Sequence, residues 1–246
     1  MATLIASAPI CLLNGHRTII SSGNTTEKRY EYYKNIILAQ GGVFLEDGTP
    51  NILGIRGASI ENDNSIKQSK VNTDTRFNSG NDSVKKNNQP RWDDVIVTLW
   101  KAGSKCYVSE YKGSCDPGST GKNGVFGTAH LRDGQYEYKI GPHKVYTALI
   151  PTSTLEILRN IKQNDNRNLT EDDFKESVKQ IYKRNKSMVS YGCRIDIHKA
   201  PDAYTSSQGC QNIVESEWKK FLGELIDVKG SMYYTLIDSS KINITI

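Results

Sequence analysis

The sequence predicts a mainly β domain of the α+β class, a sandwich or barrel with helical insertions. Three observations predict it. Short apolar runs of strand length recur at Ile52–Ile55, Val95–Leu99, Val145–Ile150, Leu155–Leu158, Ile195–Ile197 and Met232–Ile237. The segment from Gly134 to Ile140 alternates, with Tyr136, Tyr138 and Ile140 on one face. Only two or three segments carry the spacing of an amphipathic helix, and they fall between the strands.

The elements follow in order. Thr3, Leu4 and Ile5 suit a first strand. Thr25-Thr26-Glu27 opens a helix that runs to about Gln40 and is closed by Gly41-Gly42; Tyr30, Tyr32, Tyr33, Ile36 and Ile37 supply its buried face. Residues 1–45 thus form an N-terminal segment with one helix, packed on a larger domain over 46–246. Val43 to Leu45 and Ile52 to Ile55 read as strands parted by the turn Asp47-Gly48. Residues 59–90 are rich in Asn, Ser, Asp and Lys and read as a long mobile surface loop. Glycines crowd the loop from Gly113 to Gly127. A helical insertion is expected over 169–187: Thr170 caps it, Glu171 to Asp173 load its first turn, and Phe174, Val178, Ile181 and Tyr182 make its stripe. Trp218, Phe221, Leu222, Leu225 and Ile226 mark a last helix.

Composition narrows the class of function. The 246 residues carry 32 Lys and Arg against 27 Asp and Glu, a mild excess of +5. That favours an anionic partner weakly, and no basic run with interleaved aromatics marks a nucleic-acid surface. The longest apolar stretch, Ala2 to Leu13, is broken by Pro9 and is too short to span a bilayer, so no membrane insertion is expected. It lacks a basic start, so a strand is expected there rather than a secretory signal, although Ala6-Ser7-Ala8 resembles a cleavage site. Five cysteines at irregular spacing do not read as a disulfide framework, and an odd thiol remains.

One stretch carries chemistry. From Ile195 the chain reads I-D-I-H-K-A-P-D-A-Y-T-S-S-Q-G-C-Q-N-I. His198 ends an apolar strand, and Cys210 follows in Ser207-Gln208-Gly209-Cys210, just ahead of a helix. A thiol with its ordinary pKa of about 8.5 is a poor nucleophile at neutral pH. An imidazole nearby can take its proton, hold a thiolate–imidazolium pair and return the proton to a leaving amine. Gly209 permits a tight turn, and the N–H groups of Gly209 and Cys210 offer an oxyanion hole.

These residues resemble the catalytic motif of the L,D-transpeptidase family, also called YkuD-like. Its hallmark is a histidine after a strand, then Ser/Thr-His-Gly-Cys followed by a hydrophobic residue and Asn or Arg. The match here is Ile197-His198, then Ser207, Gly209, Cys210 and Asn212; Cys115-Asp116-Pro117-Gly118 resembles an upstream family segment. The resemblance implies a YkuD-like β fold, with Cys210 as nucleophile, His198 as base, and Ser207 and Gly209 shaping the site. Asn212, Gln208, His143 and Tyr136 would then bind substrate or line the cleft. It implies no metal and no organic cofactor, and peptidoglycan stem peptides as partners. Gln208 stands where the family has a second histidine and Lys199 where it has glycine, which leaves transpeptidation, carboxypeptidase trimming and endopeptidase cleavage open. The His-then-Cys order differs from peptidases that place the cysteine first.

Blander readings stand beside these. Cys210 reads alternatively as an inert buried thiol, and His198 as a hydrogen-bonded residue at a strand end. A zinc site of Cys193, His198 and Cys210 matches no common spacing. Asp196 shares a face with His198 and either orients its imidazole as a third member or pairs with Arg194. Arg56, Arg132 and Arg194 are candidates for a peptide carboxylate. The expected function is therefore a cysteine enzyme of the bacterial cell wall, its Asn/Lys/Ile-rich character suggesting phage origin and virion or tail partners. The alternatives are a non-catalytic wall-recognition or structural protein of a virion, and another cysteine peptidase or toxin.

Overall fold

The computed structural model describes residues 18–68, 92–115, 129–152, 154–159, 194–202, 207 and 209–242. The strand expected over Thr3–Ile5, the insertion at 169–187, Cys11, Cys193, Gln208 and most of the polar loop lie outside these residues.

The chain forms β1 (Thr18–Ile20), α1 (Thr26–Ala39), β2 (Asn51–Arg56), β3 (Ala58–Ile60), β4 (Ile66–Gln68), β5 (Asp94–Ala102) and β6 (Lys105–Ser114). It continues through β7 (Ala129–Leu131), β8 (Gly134–His143), β9 (Tyr146–Pro151), β10 (Ile157–Arg159), β11 (Ile197–Ala200) and β12 (Gln211–Val214). It ends with α2 (Glu215–Leu225) and β13 (Met232–Asp238). Eight strands close a barrel in the order β11-β12-β6-β5-β2-β13-β8-β9. Closure leaves no unpaired edge in this sheet. Most neighbours are antiparallel; β11 with β12 and β13 with β2 are parallel. The mainly β expectation holds, with a barrel as its form. Among the described residues, no helix is long and apolar enough to cross a membrane.

Period-two alternation assigns each strand residue to one side of the wall. Ile52, Ile96, Tyr111, Tyr138, Leu149, Ile197, Ile213 and Tyr234 form one buried cluster, the barrel interior. Their neighbours Leu53, Ile55, Val95, Val97 and Leu99 face outward and are covered by Tyr30, Tyr33, Ile36 and Ile37 of α1. Thr25 caps α1 as the sequence predicts, accepting the Lys28 N–H at 3.3 Å. On α2, Trp218, Phe221 and Leu225 join the interior cluster, and Phe221 meets Tyr111 edge-on at 5.3 Å. Glu224 of the same helix accepts the Ser109 hydroxyl at 2.6 Å and that of Thr98, which alternates with outward Val97 and Leu99.

Two local expectations change. Val43 to Leu45 is not a strand, because the Asn51 amide accepts the Leu45 N–H and donates to the Leu45 carbonyl, at 2.8 and 2.9 Å. A side chain thus takes the place of a neighbouring strand. The start of the polar loop is ordered: β3 and β4 pair antiparallel, and Ile66 is fully buried.

Buried polar groups fasten the wall to the segments beside the candidate site. Arg56, 1% exposed, donates to Asp133 at 2.7 Å and to the carbonyls of Cys115 and Leu131. Asp94 accepts from the Gly57 and Cys115 amides at 2.7 and 2.5 Å. Gly54 has a different role. A Cβ there would stand 2.1 Å from the Tyr234 hydroxyl, so only glycine leaves room for that ring. Gly54→Ala should lower the unfolding free energy in urea by about 1–3 kcal/mol through overpacking.

Candidate active site

The site lies on the outer face of four consecutive strands, β8, β9, β11 and β12. Tyr138, Leu149, Ile197 and Gln211 point inward, so alternation turns His143, Tyr146, His198 and Asn212 outward. The register is direct: His143 opposes Tyr146 across the β8–β9 hairpin, and His198 is the partner of Asn212 in the parallel pair. The hairpin turns through Lys144 and Val145, with Lys144 at φ 54°, a left-handed position that costs a non-glycine residue some strain.

Gln211 aligns β11 and β12. Its N–H donates to the Asp196 carbonyl at 2.9 Å, and Ile197 is its register partner. Its fully buried side chain donates to the Cys115 carbonyl at 3.1 Å and accepts the Tyr234 hydroxyl at 2.9 Å. Continued one step, the register places Cys210 beside Asp196. His198 is two pairs further on, its Cα about 8 Å from that of Cys210, given about 3.3 Å of rise per residue and about 4.8 Å between strands.

His198 has a defined tautomer. Its Nδ1 is 2.7 Å from the Lys199 carbonyl, which can only accept, so Nδ1 carries the proton. The Tyr146 hydroxyl oxygen, 3.1 Å away, is a second acceptor for it. Nε2 therefore holds the lone pair. The Asn212 Nδ2 lies 3.3 Å from Nε2 and 3.5 Å from Nδ1, so it abuts the ring around Cε1 and bonds strongly to neither nitrogen. Its donation to the Gln211 carbonyl at 3.1 Å sets the amide's orientation. The Asn212 Oδ1 is buried with no partner among the described residues.

A second imidazole lies against the first. His143 and His198 stack with ring centroids 4.3 Å apart and 21° between planes. The His143 Nδ1 is 2.6 Å from Asp196 Oδ2, and Arg194 Nε donates to Oδ1 at 2.7 Å. Arg194 also donates to the Pro142 carbonyl at 2.5 Å. Asp196 therefore orients an imidazole and pairs with Arg194 at once, but the imidazole is that of His143, not His198.

Cys210 is partly buried, and its thiol faces the Asp196 N–H and the Ser207 hydroxyl. Burial pushes the thiol pKa up, while those two donors pull it down. Burial pushes His198 down to about 4; the Lys199 carbonyl opposes that shift and His143 adds to it. The resting pair is therefore a neutral thiol and a neutral imidazole, not the thiolate–imidazolium pair. No hydrogen bond joins Cys210 to either imidazole among the described residues.

The remaining sequence candidates divide. Ser207 Oγ accepts the Gly209 N–H at 2.9 Å, so that amide braces the loop instead of facing an oxyanion. Gly209 fits because a Cβ would stand 2.7 Å from the Ala129 carbonyl of β7. Tyr136 is not at the site: it points into the barrel, 6% exposed, and donates to the Arg132 carbonyl at 2.9 Å. It shares its strand face with Tyr138, and that face is the core face. Arg56 is likewise buried and paired rather than available to a substrate. Among the described residues, no three His, Cys, Asp or Glu side chains are grouped to hold a metal ion. Sequence reasoning missed Tyr146, because the Lys144-Val145 turn lacks the glycine or asparagine that marks a hairpin.

Compared with known proteins, the chain matches no family model, no curated protein and no solved structure.

Two outcomes follow. The folded state resists protonation of His198, so stability is full above the unfolded-state pKa of about 6.5 and is lost as the pH falls toward about 4. His198→Gln should flatten that fall by about 1–3 kcal/mol, read as unfolding free energy from pH 7 to 4.5. Ser207→Ala should remove a donor to the thiolate and raise the Cys210 pKa further, seen as a shift of the alkylation profile to higher pH.

Proposed function

We propose that this protein is a cysteine acyltransferase or peptidase of the bacterial cell wall, an L,D-transpeptidase-like enzyme acting on peptidoglycan stem peptides. The observation that carries this reading is the proton geometry on adjacent strands. His198 Nδ1–H is committed to the Lys199 carbonyl, its Nε2 lone pair is left basic, and the strand paired with it leads out of Cys210. A thiol faced by a backbone N–H and a hydroxyl, beside an imidazole of fixed tautomer, suits nucleophilic catalysis. The His-then-Cys order and the Ser207, Gly209, Cys210, Asn212 motif support the family likeness, as does the passage from Cys210 through β12 into α2. The barrel is compatible with a YkuD-like fold.

The chemistry runs in two halves. Cys210 Sγ attacks the carbonyl of a stem-peptide bond while its proton passes to His198 Nε2. The C–N bond breaks, the proton leaves on the departing amine, and a thioester to Cys210 remains. Water or a second amine then attacks the thioester, giving up a proton as the thiol re-forms. Because the resting pair is neutral, charge separates only as the attack proceeds. The Cys210 N–H has no partner among the described residues and is the amide left to receive the developing oxyanion.

The raised thiol and depressed imidazole also favour the second reading, a wall-recognition protein of a virion with a silent site. Incubation with peptidoglycan and tetrapeptide muropeptides, read by mass spectrometry beside Cys210→Ala, separates the two. A lost terminal residue, a cut stem or a new cross-link, absent in the variant, is the expected result. Unchanged muropeptides with wall binding intact would favour the silent site. Cleavage of ordinary L,L peptides alone would point to another cysteine peptidase.

A further inference from the structure

The Cys210–His198 chemistry leaves the neighbouring imidazole without a role. We propose that His143, held by Asp196 and stacked on His198, is a positioning residue: it opposes a charge on the neighbouring imidazole, so His198 keeps its Nε2 lone pair as the pH falls. This rests on the reading that His198 receives the proton of Cys210.

The geometry makes the two rings unequal. Two imidazolium ions stacked at 4.3 Å repel each other, so protonation of one opposes protonation of the other. The carboxylate sits on His143: Asp196 Oδ2 is 2.6 Å from its Nδ1, whereas Nδ1 of His198 meets the neutral Lys199 carbonyl, Tyr146 hydroxyl and Asn212 amide. The Asp196 side chain is 2% exposed, so water screens its field little.

The other charges nearby do not undo that difference. Arg194, on the other Asp196 oxygen, and Lys144, in the turn beside His143, oppose a charge on His143; neither makes a contact as short as that to Asp196. Tyr146, 5.3 Å from the His143 ring, is neutral, and burial holds its hydroxyl above its ordinary range. Lys199, 5.7 Å from the Tyr146 ring, pairs with Glu215, and Cys210 presents a neutral thiol. A charged His143 also makes His198 a weak base once it has been protonated. It would then surrender its proton readily to a leaving amine.

The test is an NMR titration of the imidazoles in the full-length protein, together with the rate of Cys210 alkylation by iodoacetamide against pH. Resonances are assigned by their loss in single variants. In His143→Phe, which keeps an aromatic ring in the stack, the His198 midpoint should rise by about one pH unit and the acid edge of alkylation should move up with it. In His143→Gln the His198 midpoint should rise likewise. A folded His143→Phe protein with an unmoved His198 midpoint and alkylation edge would overturn the proposal. So would a His143→Gln protein with both unmoved, and this decides the matter if His143→Phe fails to fold. Neither readout uses a muropeptide, so failure of the stem-peptide reading shows separately.

Discussion

The parallel pairing of β11 with β12 is the constraint on which the site depends. Slipping either strand by one residue would turn His198 or Asn212 into the barrel and bring Ile197 or Ile213 out, because strand side chains alternate with period two. The pairing is short, four residues on each strand, and cannot be fixed by length alone. Gln211 fixes it. Its amide N–H holds the Asp196 carbonyl, and its side chain, buried among apolar groups, is satisfied only where the Cys115 carbonyl and the Tyr234 hydroxyl meet it. A buried amide moved out of that register would lose its partners, at about 1–3 kcal/mol for each group left unpaired.

That requirement reaches across the barrel. Tyr234 can approach Gln211 because Gly54 on β2 leaves it room. Cys115 stands where it does because Asp94 holds its amide and Arg56 donates to its carbonyl. Gly209, just before Cys210, lies against Ala129 of β7. Cys210 is thus placed by buried polar contacts from four barrel strands, β2, β5, β12 and β13, and by packing against the short strand β7, while it lies on the outer face. This division gives the outer site a stiff support.

The electrostatics follow from the same layout. Turning His198 outward beneath Tyr146 and His143 removes much of its water, which disfavours the imidazolium. The Asp196 carboxylate, which would favour it, is committed to His143 and Arg194. The Cys210–His198 pair is therefore neutral at rest, and the site contains one imidazole with a carboxylate and one without. A mechanism beginning from a preformed thiolate–imidazolium pair does not fit such a site; one in which the proton moves during the attack does.

The residue pattern by itself determined much of this protein. The alternation of Tyr136, Tyr138 and Ile140, the β-branched run at Val95 to Val97 and the stripe of α2 specify strand, strand and helix, since backbone periodicity alone decides which side chains share a face. The His198 to Asn212 spacing also singled out the two side chains around which the site is built. Only the tertiary structure decided that Asp196 serves His143, that Ser207 braces Gly209, and that Tyr136 belongs to the core. It also decided that Leu45 is matched by an asparagine side chain instead of a strand. These outcomes depend on which strands neighbour each other and in what register. Burial and hydrogen-bond satisfaction settle that across the whole barrel, between residues far apart in the chain.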